Sequence, residues 1–134
     1  MQNMSGGKTA LGLDANVGAL LCYVLNFVCY LGIVYSIIVL VTDKTNKLTR
    51  FHAAQSLLLT AVMLVVGIPG YVIAAGLALS GSSVMALLGT LIMLLVGLVG
   101  LAVFVFWIIS AIKAFGGEIY KVPVVGDFAD KFSN

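Results

Sequence analysis

The sequence predicts an all-α integral membrane protein: a single membrane domain with three transmembrane helices, the second kinked at Pro69, and a short cytoplasmic interfacial segment at the carboxyl end. Three observations carry this prediction. Apolar residues make up 62% and charged residues 9% of the 134-residue chain, far from the roughly 45–50% and about 25% of soluble domains. The apolar residues gather into three runs, 17–41, 51–79 and 84–112, each longer than the ~20 residues that cross a ~30 Å hydrocarbon core as a helix. These runs contain no acidic residue and no lysine, and the single histidine, His52, stands at the start of the second. A formal charge of +2 without a long basic face makes the lipid bilayer, and not nucleic acid, the expected partner.

The first run, 17–41, is expected to stay in the mature protein. It is longer than the 7–15-residue core of a signal peptide, and no A-x-A-like cleavage site follows it. On an ideal helix Gly18, Cys22, Asn26, Cys29 and Ser36 fall within an arc of about 80°. Helices in lipid meet where side chains are small or bond across the interface, so this stripe is the expected contact face. Asn26 is then a helix-contact residue seeking a partner on another span. A polar lining for a conduction path is the alternative reading of the same stripe. Cys22 and Cys29 sit about 10 Å apart along such a helix, too far for a disulfide, and are read as packing residues.

In the second run "GIPGY", residues 67–71, places Pro69 mid-helix, where the missing donor and ring clash predict a kink around 65–68. Gly70, Ala74 and Ala78 form a small-xxx-small series suited to helix contact. "SGSS", residues 80–83, predicts a tight antiparallel hairpin with Ser82 or Ser83 capping the third helix. In that helix Gly89, Gly97 and Gly100 share an arc of about 80° with Phe104 and Trp107. The glycines read as a helix-contact surface and the aromatics as a patch near the cytoplasmic interface.

After Lys113, the pair Gly116–Gly117 suits a helix C-terminus, and Pro123 enforces a turn or extended stretch. Val124, Val125, Phe128 and Phe132 outline a short amphipathic segment expected on the cytoplasmic membrane face. With three spans, Lys8 alone lies on one side, while Lys44, Lys47, Arg50, Lys113, Lys121 and Lys131 lie on the other. The positive-inside rule then puts loop 42–50 and the carboxyl terminus in the cytoplasm and the amino terminus outside an inner, cytoplasmic membrane.

The stretch "RFHAAQS", residues 50–56, is the most polar part of any run. His52, Gln55 and Ser56 share one face with Leu59 within about 100°, and the nearest partners are Ser110, Lys113 and the Glu118–Tyr120 segment. "RFHAAQS" and "GGEIYKVPVVGD" are therefore expected to dock and close the cytosolic end of the bundle. No phosphate loop, H-E-x-x-H, nucleophile elbow or EF-hand spacing occurs. The spans supply no acid, which leaves His52 as the sole candidate base and the expectation of no enzymatic activity and no cofactor. Haem or metal carriage through His52 is the least favoured reading.

Arg50, Phe51, His52, Ala53, Gln55 and Ser56, followed by Lys113, Ala114, Gly117, Tyr120, Val122, Pro123 and Gly126, give the chain two motifs in order. They resemble a widespread prokaryotic family of small membrane proteins of unknown function, related to the Tic-type component of the chloroplast inner-envelope import machinery. The resemblance covers the chain from Leu11 onward and implies a three-helix fold, with Glu118 inside the second motif region. A magnetosome membrane branch, linked to mineral crystal growth, is similar around F-H-A-x-Q, but its role is not carried over because an acidic lumenal loop is lacking here. The expected function is that of a self-associating or accessory membrane subunit working through helix and protein contacts, as a homo-oligomer or with a membrane protein partner. An oligomeric transport or protein-translocation pore component is the alternative.

Overall fold

A computed structural model describes residues 7–134. The described residues form five α-helices and one 3-10 turn: α1 (Ala15–Val24), the turn (Leu25–Phe27), α2 (Leu31–Thr42), α3 (Lys47–Ala78), α4 (Ser83–Phe115) and α5 (Val125–Ser133). Only an isolated bridge between Lys8 and Asp14 interrupts this all-helical content. α3 and α4, 32 and 33 residues long, are each long and apolar enough to cross a membrane. α3 continues through Pro69 without interruption.

The expected first span, 17–41, is not one helix. α1 ends at Val24, and after the 3-10 turn Cys29 and Tyr30 take left-handed backbone conformations, with φ of 51° and 59°. That conformation costs roughly 1–2 kcal/mol at each such non-glycine residue. Beyond the turn, α2 packs back on α1. A Cβ on Gly18 would sit 3.3 Å from Tyr35 Oη, and one on Gly32 would collide with Asn26. Gly18 thus meets Thr9 and Thr49 as well as Tyr35, Gly32 meets the 3-10 turn, and α1 and α2 pack on each other as a hairpin. Among the described residues α3 and α4 have spanning length, and two shorter apolar helices stand where the first span is expected.

The chain forms two compact units. The first combines residues 7–59 with 106–134. In it Ala15 donates to the Gly7 carbonyl at 2.8 Å, and Thr49 Oγ1 donates to the Ala15 carbonyl at 3.2 Å. Asn16 Nδ2 donates to the Phe115 carbonyl at 3.1 Å. Residues 7–16 therefore lie beside the start of α3 and the end of α4. Thr49 and Ala15 bond each other, so the amino-terminal segment and the start of α3 are neighbours in this unit.

The second unit, Thr60–Val105, holds the remaining parts of α3 and α4 and the turn between them. The two helices run antiparallel. Gly70 faces Val96, Met63 Cε comes within 3.5 Å of the Cβ position of Gly100, and the Cβ position of Gly89 lies 2.7 Å from the Ala74 carbonyl. No side chain larger than hydrogen fits at Gly89 without a shift. Outward residues are apolar and uncovered, as at Val65 and Leu79, the surface that lipid requires.

Candidate functional site

α3 begins under a cap. Asn46 Oδ1 accepts the Thr49 N–H at 3.3 Å, and Asp43 Oδ1 accepts the Asn46 N–H at 3.1 Å, so side chains satisfy donors that the first turn leaves open. The helical period then brings Arg50, Phe51, His52, Gln55 and Ser56 to the centre of the first unit. Phe51 packs with Ala54 of α3 and Ala129 of α5 in a small apolar core.

His52, Gln55 and Ser56 are fully buried, and each is bonded. His52 Nε2 lies 2.9 Å from the Glu118 carbonyl, which only accepts, so Nε2 carries the proton. Nδ1 is then free to accept from Tyr23 Oη, 2.9 Å away. Tyr23 Oη in turn receives Gln55 Nε2 at 3.1 Å. The same nitrogen faces Ser110 Oγ and the Tyr120 carbonyl, each at 3.1 Å. Its two hydrogens serve three acceptors, so one bond is shared. The Val122 N–H donates to Gln55 Oε1 at 3.1 Å. These bonds join α1, α3, α4 and the 118–122 segment through one buried network.

Ser56 Oγ donates to the Cys22 carbonyl at 2.6 Å, and Trp107 Nε1 donates to the Tyr23 carbonyl at 3.2 Å. Both carbonyls belong to the last turn of α1, where the helical ladder runs out. Asn26 Nδ2 donates to Ser56 Oγ at 3.3 Å, while its Oδ1 is buried with no partner among the described residues. Tyr23 stands edge-on to both His52 and Trp107, with ring centroids 5.6 and 5.5 Å apart.

Arg50 works at two helix ends. Nη1 donates to the carbonyls of Leu40 and Asp43 at 2.8 and 2.9 Å, at the C-terminus of α2. Nε donates to the Ser133 carbonyl at 3.1 Å and Nη2 to that of Phe132 at 3.5 Å, at the C-terminus of α5. A guanidinium is suited to this: its fixed fork of donors meets several carbonyls at once, and its charge faces the negative ends of two helix dipoles.

The remaining motif residues shape the tail. Gly117, at φ 75°, closes α4: its N–H bonds the Ala114 carbonyl at 3.0 Å and the Glu118 N–H bonds the Lys113 carbonyl at 2.9 Å, the pair of bonds that ends a helix on a left-handed residue. Lys113 Nζ reaches Glu118 Oε2 at 3.0 Å. The Cβ position of Gly126 lies 2.6 Å from Lys121 Cα, so α5 can start this close to the chain only with glycine there. Pro123 is exposed, and its carbonyl accepts the Val125 N–H at 2.8 Å. Lys121 Nζ bonds Asp130 at 2.8 Å, and Lys47 lies 3.4 Å from the same carboxylate. The bond from Lys121 holds the Asp130 carboxyl below the usual carboxylate range, and the bond to Asp130 raises the Lys121 ammonium.

Of the residues expected to make helix contacts, Asn26, Gly70, Gly89 and Gly100 meet neighbours, whereas Gly97 faces open space. The residue that sequence reasoning missed is Tyr23, the centre of the network. A tyrosine hydroxyl inside an apolar run was its signal, because a phenol at that depth needs a partner.

Two long helices of spanning length with uncovered apolar surfaces define a small helical membrane protein. The chain belongs to the magnetosome magnetite crystal formation protein family (MamF/MmsF), which matches residues 14–129. It is similar to two UPF0132 membrane proteins of Methanocaldococcus jannaschii. One is 36% identical over 127 residues, covering 95% of this chain and 96% of the relative. The other is 30% identical over 123 residues, covering 92% and 73%. A UPF0132 membrane protein of Archaeoglobus fulgidus is 29% identical over 119 residues, covering 89% and 95%. No solved structure matches the chain.

Proposed function

We propose that this is a non-enzymatic subunit of the cytoplasmic membrane that acts through helix and protein contacts, with self-association as its primary mode. The observation that carries this reading is the division among its glycines. Gly70 and Gly89 are filled by the chain itself, while Gly76 and Gly97 have nothing within 4 Å of their Cβ positions, leaving small-residue positions for another helix. The motif residues support the same view, because the polar groups of His52 and Gln55 are spent on internal bonds. Both ring nitrogens of His52 are engaged, which weighs against haem or metal carriage. Asn26 is bonded to Ser56, which weighs against a polar-lined pore.

For orientation, the amino-terminal segment, loop 42–50 and the tail together carry all seven basic residues, and the turn 79–82 carries none. The positive-inside rule favours a cytoplasmic location for all three. The family description names magnetite crystal formation. The turn 79–82 offers no carboxylate to a mineral, which weighs against that role for this chain. Native mass measurement from mild detergent tests the reading: wild-type protein should appear as an oligomer and Gly97→Leu as a smaller species. A wild-type monomer without bound protein would overturn it.

A further inference from the structure

One polar cavity of the first unit is lined by side chains that donate hydrogen bonds and by no carboxylate. It has a volume of about 350 Å³ and is bounded by Gly7, Lys8, Thr45, Asn46 and Lys47. Asn46 is the informative member. Its Oδ1 accepts the Thr49 N–H at 3.3 Å, which commits the oxygen to the first turn of α3 and leaves Nδ2 to point elsewhere. Nδ2 stands 3.3 Å from the Cβ position of Gly7, on the cavity wall, and has no hydrogen-bond partner among the described residues. Lys8 is exposed, and its ammonium likewise bonds nothing among the described residues. Thr45, also exposed, adds a hydroxyl.

The acids nearest to this wall are already engaged. Lys47 lies 3.4 Å from Asp130, a carboxylate that Lys121 holds more closely at 2.8 Å, so most of the donor capacity of the Lys47 ammonium is unspent. Asp43 is buried in the cap, where its Oδ1 accepts the Asn46 N–H at 3.1 Å and its carbonyl accepts from Arg50 at 2.9 Å. The cavity also marks a level in the chain. Thr49 Oγ1 donates to the Ala15 carbonyl, so the first turns of α1 and α3 lie side by side at the cavity, and both helices turn apolar from there. Basic side chains at the foot of apolar helices stand where lipid headgroups do.

We propose that this cavity binds a phosphate group. Phosphate brings several acceptor oxygens and a negative charge to a wall with two ammonium groups, a free amide N–H donor and a hydroxyl. The start of α3 at Lys47 adds the positive end of a helix dipole to the same field. The level of the cavity matches the headgroup of an anionic phospholipid, and soluble phosphate, with the same chemistry, is the other source. The site lies wholly within the first unit and is independent of self-association.

The test is native mass measurement of the full chain in a neutral detergent, titrated in separate arms with phosphatidylglycerol, phosphatidylcholine and inorganic phosphate. Phosphatidylglycerol should bind at one molecule per chain in preference to phosphatidylcholine, whose choline offsets the phosphate charge. Inorganic phosphate that displaces it would show that the phosphate is the group held, and phosphatidylglycerol binding that phosphate leaves in place would assign the site to the lipid headgroup. Lys8→Gln and Lys47→Gln should weaken binding about fivefold each and about 30-fold together, at one near-surface charge apiece. Lys8 has no internal bond to lose, so its variant reads the cavity and not the fold. Lys131→Gln removes the same charge from α5 and should leave binding unchanged. Binding of neither anion, no loss in the double variant, or an equal loss in Lys131→Gln would overturn the site. The readout is bound ligand per chain, so it is distinct from the oligomeric state.

Discussion

The Val122 N–H donates to Gln55 Oε1 at 3.1 Å, and this one bond fixes which way the glutamine amide points. With the oxygen committed to the tail, Nε2 must face Tyr23, Ser110 and the Tyr120 carbonyl. A side chain in the third turn of α3 thereby decides how α1, α4 and the 118–122 segment meet.

Gln55→Leu should therefore loosen the tail before it unfolds the helices. It strands the buried Val122 N–H and removes the donor to Ser110 and Tyr120, and a stranded buried group costs about 1–3 kcal/mol. Limited trypsin digestion should cut at Lys121 in the variant and spare the wild type, with stability in mild detergent falling by about 2–4 kcal/mol if the losses are partly additive. Tryptic resistance equal to wild type would show that the glutamine does not hold the tail.

Arg50→Lys should behave as a loss and not as a conservative change. Lysine keeps the charge but has no planar fork, so it cannot reach the ends of α2 and α5 together. Charge-assisted bonds of this kind contribute about 1.5–3 kcal/mol each, and at least one should be lost. Amide exchange should accelerate at both helix ends, since Leu40 and Ser133 depend on the same guanidinium. Acceleration at one end alone would assign Arg50 to that end.

Much of this site was legible because α3 is regular. A period of 3.6 residues places His52, Gln55 and Ser56 on one face, and the ordered motif of the tail supplies the complementary segment. The hairpin was not legible, because hydropathy reports composition while the break is a matter of two dihedral angles at Cys29 and Tyr30. Neither glycine nor proline marks that turn. The trace in the sequence is subtler: Gly18–Cys22 and Gly32–Ser36 are two small pairs with the same spacing, which suits two short helices folded on each other as well as one long helix facing a third. His52 invited a catalytic or ligand-binding reading, and Gln55 a docking one, for the same local reason. Only the fold brings Tyr23 and the carbonyls of Glu118 and Tyr120 to them.

The hairpin makes a topological prediction that a single first span does not. In a Cys22→Ala, Cys29→Ala background, Lys8→Cys and Thr45→Cys should react with a membrane-impermeant maleimide from one side of the membrane, and Ser82→Cys from the other. All three wild-type positions are exposed. A full first span would instead pair position 8 with position 82, so labelling in that pattern would remove the half-length hairpin.

The attachment of α5 should resist pH over a wide range and fail only at its extremes. Asp130 is held below its ordinary value by Lys121, so its contribution is complete above the unfolded carboxylate value, about pH 4, and is lost as pH falls through the lower folded value. Lys121 is raised by Asp130, so its contribution is complete below the unfolded ammonium value, about pH 10.4, and is lost as pH rises through the higher folded value. Both groups are solvent-accessible, which makes the linkage modest and sensitive to salt. Exchange of α5 amides, corrected for intrinsic rates, should be flat across neutral pH and rise below about pH 4, and Asp130→Asn should remove the acid-side dependence. A transition centred near about pH 6 would point to a group titrating in the histidine range and not to this pair.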